Sequence, residues 1–241
     1  MERKTEGIVL RATDYKENDK LLTLFTPFYG KITAGIRGVR KASSKLNFAS
    51  QPFAFCEYVL AEKGGRYTVT GAYLHDGFFP LRTDILRFYA ACTLTEVCNA
   101  TFADGEESEG AFIALAEGLK ALSLSDEDPA ETVLTFLITA LGEAGYMLDL
   151  DGCGQCGGEI KGAIRFDFSA GHFLCEECSG GVRASEETYE TLKKCAGLTY
   201  RTGHTAGGRK RALRLLKAYL SEKTEENFPC FSEFIRMYEE N

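Results

Sequence analysis

Two Cys-x-x-Cys pairs constrain this chain more than any other feature. The pairs are Cys153/Cys156 and Cys175/Cys178, separated by 18 residues. One tight turn can present both sulfurs of a pair to a single ion, and the intervening residues suffice for a hairpin that returns the second pair to the first. Four thiolates complete a tetrahedral coordination sphere and leave no position for a reactive water. The spacing therefore predicts one structural Zn²⁺ in a zinc ribbon inserted at about residues 150–184.

Other interpretations of this stretch are disulfides, a redox dithiol or a dinucleotide-binding loop. Gly152, Gly154 and Gly157 spell G-x-G-x-x-G, but no apolar strand precedes them and no helical pattern follows, so the context of a dinucleotide site is missing. Disulfides require an oxidising compartment, which the rest of the sequence does not favour. His172 lies close to the second pair, where a polar hairpin residue is favoured over a further ligand.

Composition indicates one or two ordinary domains, because the 241 residues are 44% apolar. The first twenty residues are too charged for a signal peptide, and no apolar run approaches the ~18 residues that span a bilayer. We therefore expect a cytoplasmic protein with no membrane association. The remaining five cysteines lie singly in apolar or helical surroundings, which is typical of buried free thiols: Cys56, Cys92, Cys98, Cys195 and Cys230.

The net charge of -7 is unevenly distributed. Residues 1–80 contain 12 Lys and Arg against 8 Asp and Glu, whereas residues 81–150 contain 3 against 13. This change indicates a domain boundary near Pro80 and confines any polyanion-binding surface to one part of the molecule.

Residues 1–80 predict five short strands, because segments rich in β-branched, aromatic and aliphatic residues alternate with turn signals. Lys63-Gly64-Gly65-Arg66 is a hairpin signal, and Tyr29-Gly30 marks another turn. Five strands without a long intervening helix favour an OB-fold barrel, with an SH3-like barrel as the alternative.

The segment after the third strand, GIRGVRKASSKLNF, holds the densest run of cations in this basic region. Arg37, Arg40, Lys41 and Lys45 occur without an intervening acid, Gly38 and two serines would let the loop move, and Phe48 and Phe53 follow. Cations for phosphates and rings for base stacking are the requirements of a single-strand groove. A solvated loop followed by core phenylalanines explains the composition equally well.

Beyond Pro80 the apolar residues recur at the spacing of an α-helix. Asp128 and Pro129 suit the start of a helix whose apolar residues predict the centre of a helical core: Val133, Phe136, Leu137, Leu141 and Tyr146. Ser185 opens a shorter helix beyond the ribbon. A later helix carries Lys210, Arg214 and Lys217 along one side, where a solvated face is commoner than a secondary DNA-binding row.

These segments together predict an α+β multidomain protein. A five-stranded OB-fold β-barrel at residues 1–80 is followed by an α-helical domain at residues 81–241, and this second domain carries the four-cysteine zinc ribbon.

The order of these features resembles the RecO family of bacterial recombination mediators over almost the whole chain. The resemblance is carried by the GIVLR opening, by Gly38, Arg40 and Ser44 in a G-x-R-x-x-x-S element, by the GYMLDLDGCGQCGG stretch that follows a helix, and by the CEEC knuckle and late LLKAYL helix.

This resemblance implies a DNA repair protein that binds single-stranded and double-stranded DNA and anneals complementary strands. It also implies that the protein helps load recombinase onto strands coated with single-strand binding protein, and that RecR is a partner. The family's basic element often carries more consecutive cations than RGVRKASSK, so DNA contacts are also expected at Lys20, Lys31 or the late helix.

No nucleotide-binding loop, zinc-protease or esterase motif is present, and the three histidines His75, His172 and His204 lack recognisable catalytic partners. The sequence therefore predicts a protein that is not an enzyme and does not hydrolyse nucleotides. The alternative is a zinc-ribbon adaptor that binds protein partners only.

Overall fold

The computed structural model describes residues 2–197 and 205–240. The chain forms two compact units, Met1–Asp126 and Glu127–Asn241. Neither unit contains, within the described residues, a helix that is both long and apolar enough to cross a membrane.

The first unit begins with a closed five-stranded barrel in the order β1-β2-β3-β5-β4. Only β3 and β5 run parallel, and this connectivity is that of the predicted OB-fold. Its strands are β1 (Glu2–Tyr15), β2 (Asp19–Thr26), β3 (Gly30–Ile36), β4 (Phe55–Lys63) and β5 (Arg66–Asp76).

Strand β1 closes the barrel because it pairs with two neighbours. Glu2–Ile8 pairs with β4 and Ile8–Tyr15 pairs with β2, with an irregularity in register between Val9 and Arg11. Such an irregularity bends a strand, and the bend allows β1 to pair with β4 through its first half and with β2 through its second half. The interior is filled by alternating apolar residues, including Val9, Leu22, Leu24, Ile36, Tyr58 and Leu60.

Both predicted turns are present. Gly64 and Gly65 have φ angles of 58° and 73°, and Lys63 pairs with Arg66, as a two-residue hairpin requires. Gly30 also has a positive φ of 57°, and a Cβ added there would collide with the backbone of Glu106.

Two helices complete the first unit, α1 (Ile85–Thr101) and α2 (Glu109–Leu124). Phe25, which is fully buried on β2, lies 5.3 Å from the ring of Phe102 and 6.4 Å from that of Phe112. The sequence places the domain boundary near Pro80, where the barrel ends. The compact unit continues beyond this point to Asp126, because α1 and α2 share an aromatic core with the barrel.

The described residues of the second unit form four helices and a three-stranded sheet in the order β7-β6-β8. The predicted helix starts are confirmed, since Asp128 caps α3 and Ser185 caps α4. Of the expected core residues, Val133, Phe136, Leu137 and Leu141 are buried and Tyr146 is half-buried. The elements are α3 (Pro129–Glu143), β6 (Arg165–Asp167), β7 (His172–Leu174), β8 (Val182–Arg183), α4 (Glu186–Cys195), α5 (Ala206–Thr224) and α6 (Pro229–Glu240).

Two tyrosines attach the sheet to the helices. Tyr189 of α4 donates its hydroxyl to the carbonyl of Leu150 at 2.9 Å, and its ring lies 5.0 Å from that of Phe173. Tyr219 of α5 lies 5.7 Å from Phe166. The sheet therefore shares apolar packing with the helices and is not suspended on a linker.

Candidate metal centre and nucleic-acid interface

The four predicted ligands, Cys153, Cys156, Cys175 and Cys178, come together in one cluster. All four are free thiols, and their sulfurs lie within 4.8 Å of one another. The Cys153–Cys178 and Cys156–Cys175 sulfur pairs are 3.6 and 3.7 Å apart. Zn–S bonds of about 2.3 Å in a tetrahedron require sulfur–sulfur distances of about 3.8 Å. The cluster thus has the dimensions of a four-thiolate metal site.

Backbone geometry in each knuckle positions the sulfurs. Gly157 has a φ of 71° and donates its N–H to the carbonyl of Cys153 at 2.7 Å, which closes the first turn. The amide of Cys178 donates to the carbonyl of Cys175 at 3.2 Å and closes the second. In addition, the amide of Cys175 donates to the Cys153 sulfur at 3.4 Å. These turns orient all four side chains toward one point.

The electrostatics of the cluster favour a cation. Burial tends to raise the pKa of Cys153, but the amides of Cys175, Cys156 and Gln155 outweigh it and lower that pKa to about 6. Burial and the neighbouring sulfurs raise the pKa of Cys178 to about 12. The first thiolate therefore forms readily and opposes ionisation of the next, an opposition that a bound divalent cation relieves. The four cysteines can hold a metal ion, and an all-thiolate donor set fits zinc.

His172 does not belong to the ligand set. Its imidazole ring packs directly on Gly154. A Cβ added at position 154 would collide with the ring, so this close packing requires glycine. Among the described residues, no other group of three or more cysteine, histidine or acidic side chains has metal-binding geometry. His75 lies 3.4 Å from Glu6 on the barrel surface, and His204 lies outside the described residues.

A second site lies on the barrel, where a groove of about 560 Å³ runs over β2, β3 and β5. Lys20 and Arg37, both predicted DNA contacts, line it. The groove also contains four residues that were not predicted as DNA contacts, which are the cations Lys16 and Arg66 and the aromatic residues Tyr15 and Tyr67. Strands 2 and 3 with the β1–β2 and β4–β5 loops form the usual ligand face of an OB-fold. Placing this ligand face on the predicted OB-fold would have identified these four residues from the sequence.

The remaining cations of the β3–β4 loop are placed differently. Lys41 and Lys45 are exposed but do not line the groove. The guanidinium of Arg40 forms an ion pair with Asp14 at 3.2 Å and donates to the carbonyl of Glu17 at 3.2 Å. The loop was expected to move, but consecutive turns are fixed by Lys41–Gly38 and Ser44–Lys41 backbone hydrogen bonds of 3.2 and 2.9 Å.

Phe48 and Phe53 do not offer stacking surfaces. Phe53 is 2% exposed and its ring packs 5.5 Å from that of Phe88 in α1, while Phe48 packs against the barrel core. The core interpretation of these rings is the one that the structure bears out.

Lys31 also has structural partners. Its ammonium donates to the carbonyl of Asn99 at 2.7 Å, and it lies 3.4 Å from Asp104. Only 15% of its side chain is exposed, so it joins the barrel to the end of α1 and is poorly placed to contact phosphates.

The predicted row on α5 is partly neutralised by α6. Lys210 donates to the carbonyl of Glu239 at 3.0 Å, and Arg214 forms an ion pair with the Glu239 carboxylate at 2.6 Å. Lys217 is half-buried. Two of the three cations therefore contribute to helix packing.

The two sites define a class of OB-barrel protein in which a helical unit carries a four-cysteine ribbon that can hold a metal ion. Residues 1–78 match the family model described as Recombination protein O N terminal, and residues 82–229 match Recombination protein O C terminal. The chain belongs to the RecO family, as the resemblance indicated.

Curated relatives agree. A protein of Myxococcus xanthus named DNA repair protein RecO is 32% identical over 194 residues, which cover 80% of this chain and 78% of the relative. A protein of the same name from Anaeromyxobacter sp. strain K is 34% identical over 182 residues, covering 74% and 71% of the two chains.

Proposed function

We propose that this protein acts in DNA repair as a mediator that binds single-stranded DNA in the barrel groove and anneals complementary strands. The observation that carries the proposal is the groove itself, in which Lys16, Lys20, Arg37 and Arg66 surround Tyr15 and Tyr67 on the ligand face of an OB-fold. Cations along a backbone path and rings for sequence-tolerant stacking are the elements of a general single-strand site.

Annealing by this surface needs no chemical step. The cations reduce the repulsion between two strands, and release of counterions supplies binding free energy without reading sequence. Because stacking on a ring is weak and tolerant, a complementary strand can compete for the same bases. We propose that the protein is not an enzyme, that double-stranded DNA is a second ligand, and that one zinc ion in the ribbon has a structural role.

The family suggests the cellular partners. We propose RecR and single-strand binding protein as protein partners and the loading of recombinase onto coated strands as the outcome. The DNA repair names of the relatives support this role.

Strand annealing tests the proposal directly. Two complementary oligonucleotides with a fluorophore and a quencher are mixed with the zinc-loaded protein, with and without ATP. We expect faster duplex formation that is independent of ATP and leaves the strands uncut. A requirement for ATP, or cleavage of the DNA, would contradict the mediator function. Failure to shift labelled single strands on a native gel would favour a zinc-ribbon adaptor that binds only protein.

A further inference from the structure

Polar contacts join the basic β3–β4 loop to the turn between β1 and β2. Asp19 accepts a hydrogen bond from the backbone N–H of Gly38 at 2.8 Å, and the carbonyl of Asn18 accepts one from the N–H of Arg40 at 3.1 Å. The Arg40 side chain adds its ion pair with Asp14 and its bond to the Glu17 carbonyl. The start of the loop is therefore held at both backbone and side-chain level.

Asp19 is an unusual residue for its location. It lines the groove together with Lys20 and Arg37, where its negative charge would repel a phosphate. Its carboxylate oxygen, however, holds the amide next to Arg37, and Gly38 adopts a φ of 63° at that point. The hydrogen bond accounts for an acid in a surface that otherwise suits an anion.

We infer that Asp19 is a positioning residue for DNA binding, which holds the Gly38 amide and thereby keeps the Arg37 guanidinium over the groove. Arg40 is a second positioning residue, because its guanidinium pairs with Asp14 at the end of β1 and donates to the Glu17 carbonyl in the β1–β2 turn. This inference rests on the proposed single-strand function of the groove. It reverses the expectation for Arg40, whose position in the sequence suggested a phosphate contact.

Two explanations of Asp19 predict opposite results. If it acts only through its charge, its removal should tighten DNA binding, because one repulsive group leaves the groove. If it positions the loop, loss of the hydrogen-bond acceptor should weaken binding. Asp19→Asn and Asp19→Ala separate the two, since both remove the charge but only asparagine keeps a side-chain carbonyl that can accept from Gly38.

The first measurement is the affinity for labelled single-stranded DNA at several salt concentrations. We expect Asp19→Asn to bind at least as tightly as the wild type. Asp19→Ala should bind about fivefold more weakly at 0.1 M salt and show a log K versus log salt slope that is smaller by about 0.7, which corresponds to one lost phosphate contact. Equal affinities of the two variants would overturn the positioning role.

The second measurement needs no DNA. Hydrogen exchange at the Gly38 amide should be faster by about tenfold or more in Asp19→Ala and close to wild type in Asp19→Asn, because exchange follows loss of the local hydrogen bond. Equal exchange in both variants would contradict the inference. Failure of the proposed function would appear differently, as an absence of DNA binding by the wild-type protein itself.

Discussion

Removing three groove cations gives a quantitative test of where DNA binds. The triple variant Lys20→Gln, Arg37→Gln, Arg66→Gln removes three positive charges, located on β2, just after β3 and on β5, and keeps a polar side chain at each position. Each lost phosphate contact should reduce the magnitude of the log K versus log salt slope by about 0.7 for single strands, so three contacts amount to about 2. If affinity at 1 M salt is unchanged, binding at 0.1 M salt should weaken by about 100-fold.

A matched control separates local contacts from overall charge. Lys4→Gln, Arg82→Gln, Lys120→Gln makes the same change in charge on the same compact unit, and all three side chains are exposed and outside the groove lining. Fluorescence anisotropy with a labelled oligonucleotide at five or more salt concentrations gives both slopes, and thermal melting verifies folding. A folded groove variant that keeps the wild-type slope, or a control variant that loses as much slope, would show that DNA does not bind in the groove.

Three further outcomes are expected. Purified protein should contain one zinc per chain, and Cys153→Ser should lose it and unfold the ribbon, since structural zinc contributes on the order of 10 kcal/mol to folding; full metal-free stability would contradict this. Tyr15→Ala should weaken single-strand binding by about 1–3 kcal/mol if one base stacks there, whereas Tyr73→Ala, outside the groove, should not. Arg209→Met should lower the free energy of unfolding, measured in urea, by about 2 kcal/mol. This loss is smaller than that from breaking a fully buried ion pair, because the side chains of its partners Asp128 and Glu131 are 28% and 31% exposed. The exposed ion pairs of Arg236 provide the comparison, and Arg236→Met should lower the free energy of unfolding much less than Arg209→Met does.

The metal site was predictable because its information is local. Each cysteine pair sits in a single turn, so spacing alone determines that Cys153 and Cys156 point together. The same holds for the Gly64–Gly65 hairpin and for the helix starts at Asp128 and Ser185, which depend on a few adjacent residues.

The groove was only partly predictable because it depends on contacts between distant residues. Arg37 and Arg66 lie on one surface because β3 pairs in parallel with β5, a contact that no nearby residues encode. Similarly, the density of cations in the β3–β4 loop did not reveal that Arg40 pairs with Asp14, or that Phe53 packs on Phe88. Composition identified the basic region, while strand order determined which cations share a face.

The aromatic contact of β2 with α1 and α2 limits how the barrel can be reused. A fragment that ends at Pro80 would leave Phe25 without Phe102 and Phe112, and Lys31 without the Asn99 carbonyl. The apolar surface newly exposed around Phe25 favours aggregation over a stable small domain. The smallest portion suited to transplantation into a fusion protein is therefore Met1–Asp126, and exchange of barrels between relatives should succeed only when the two helices are exchanged with them.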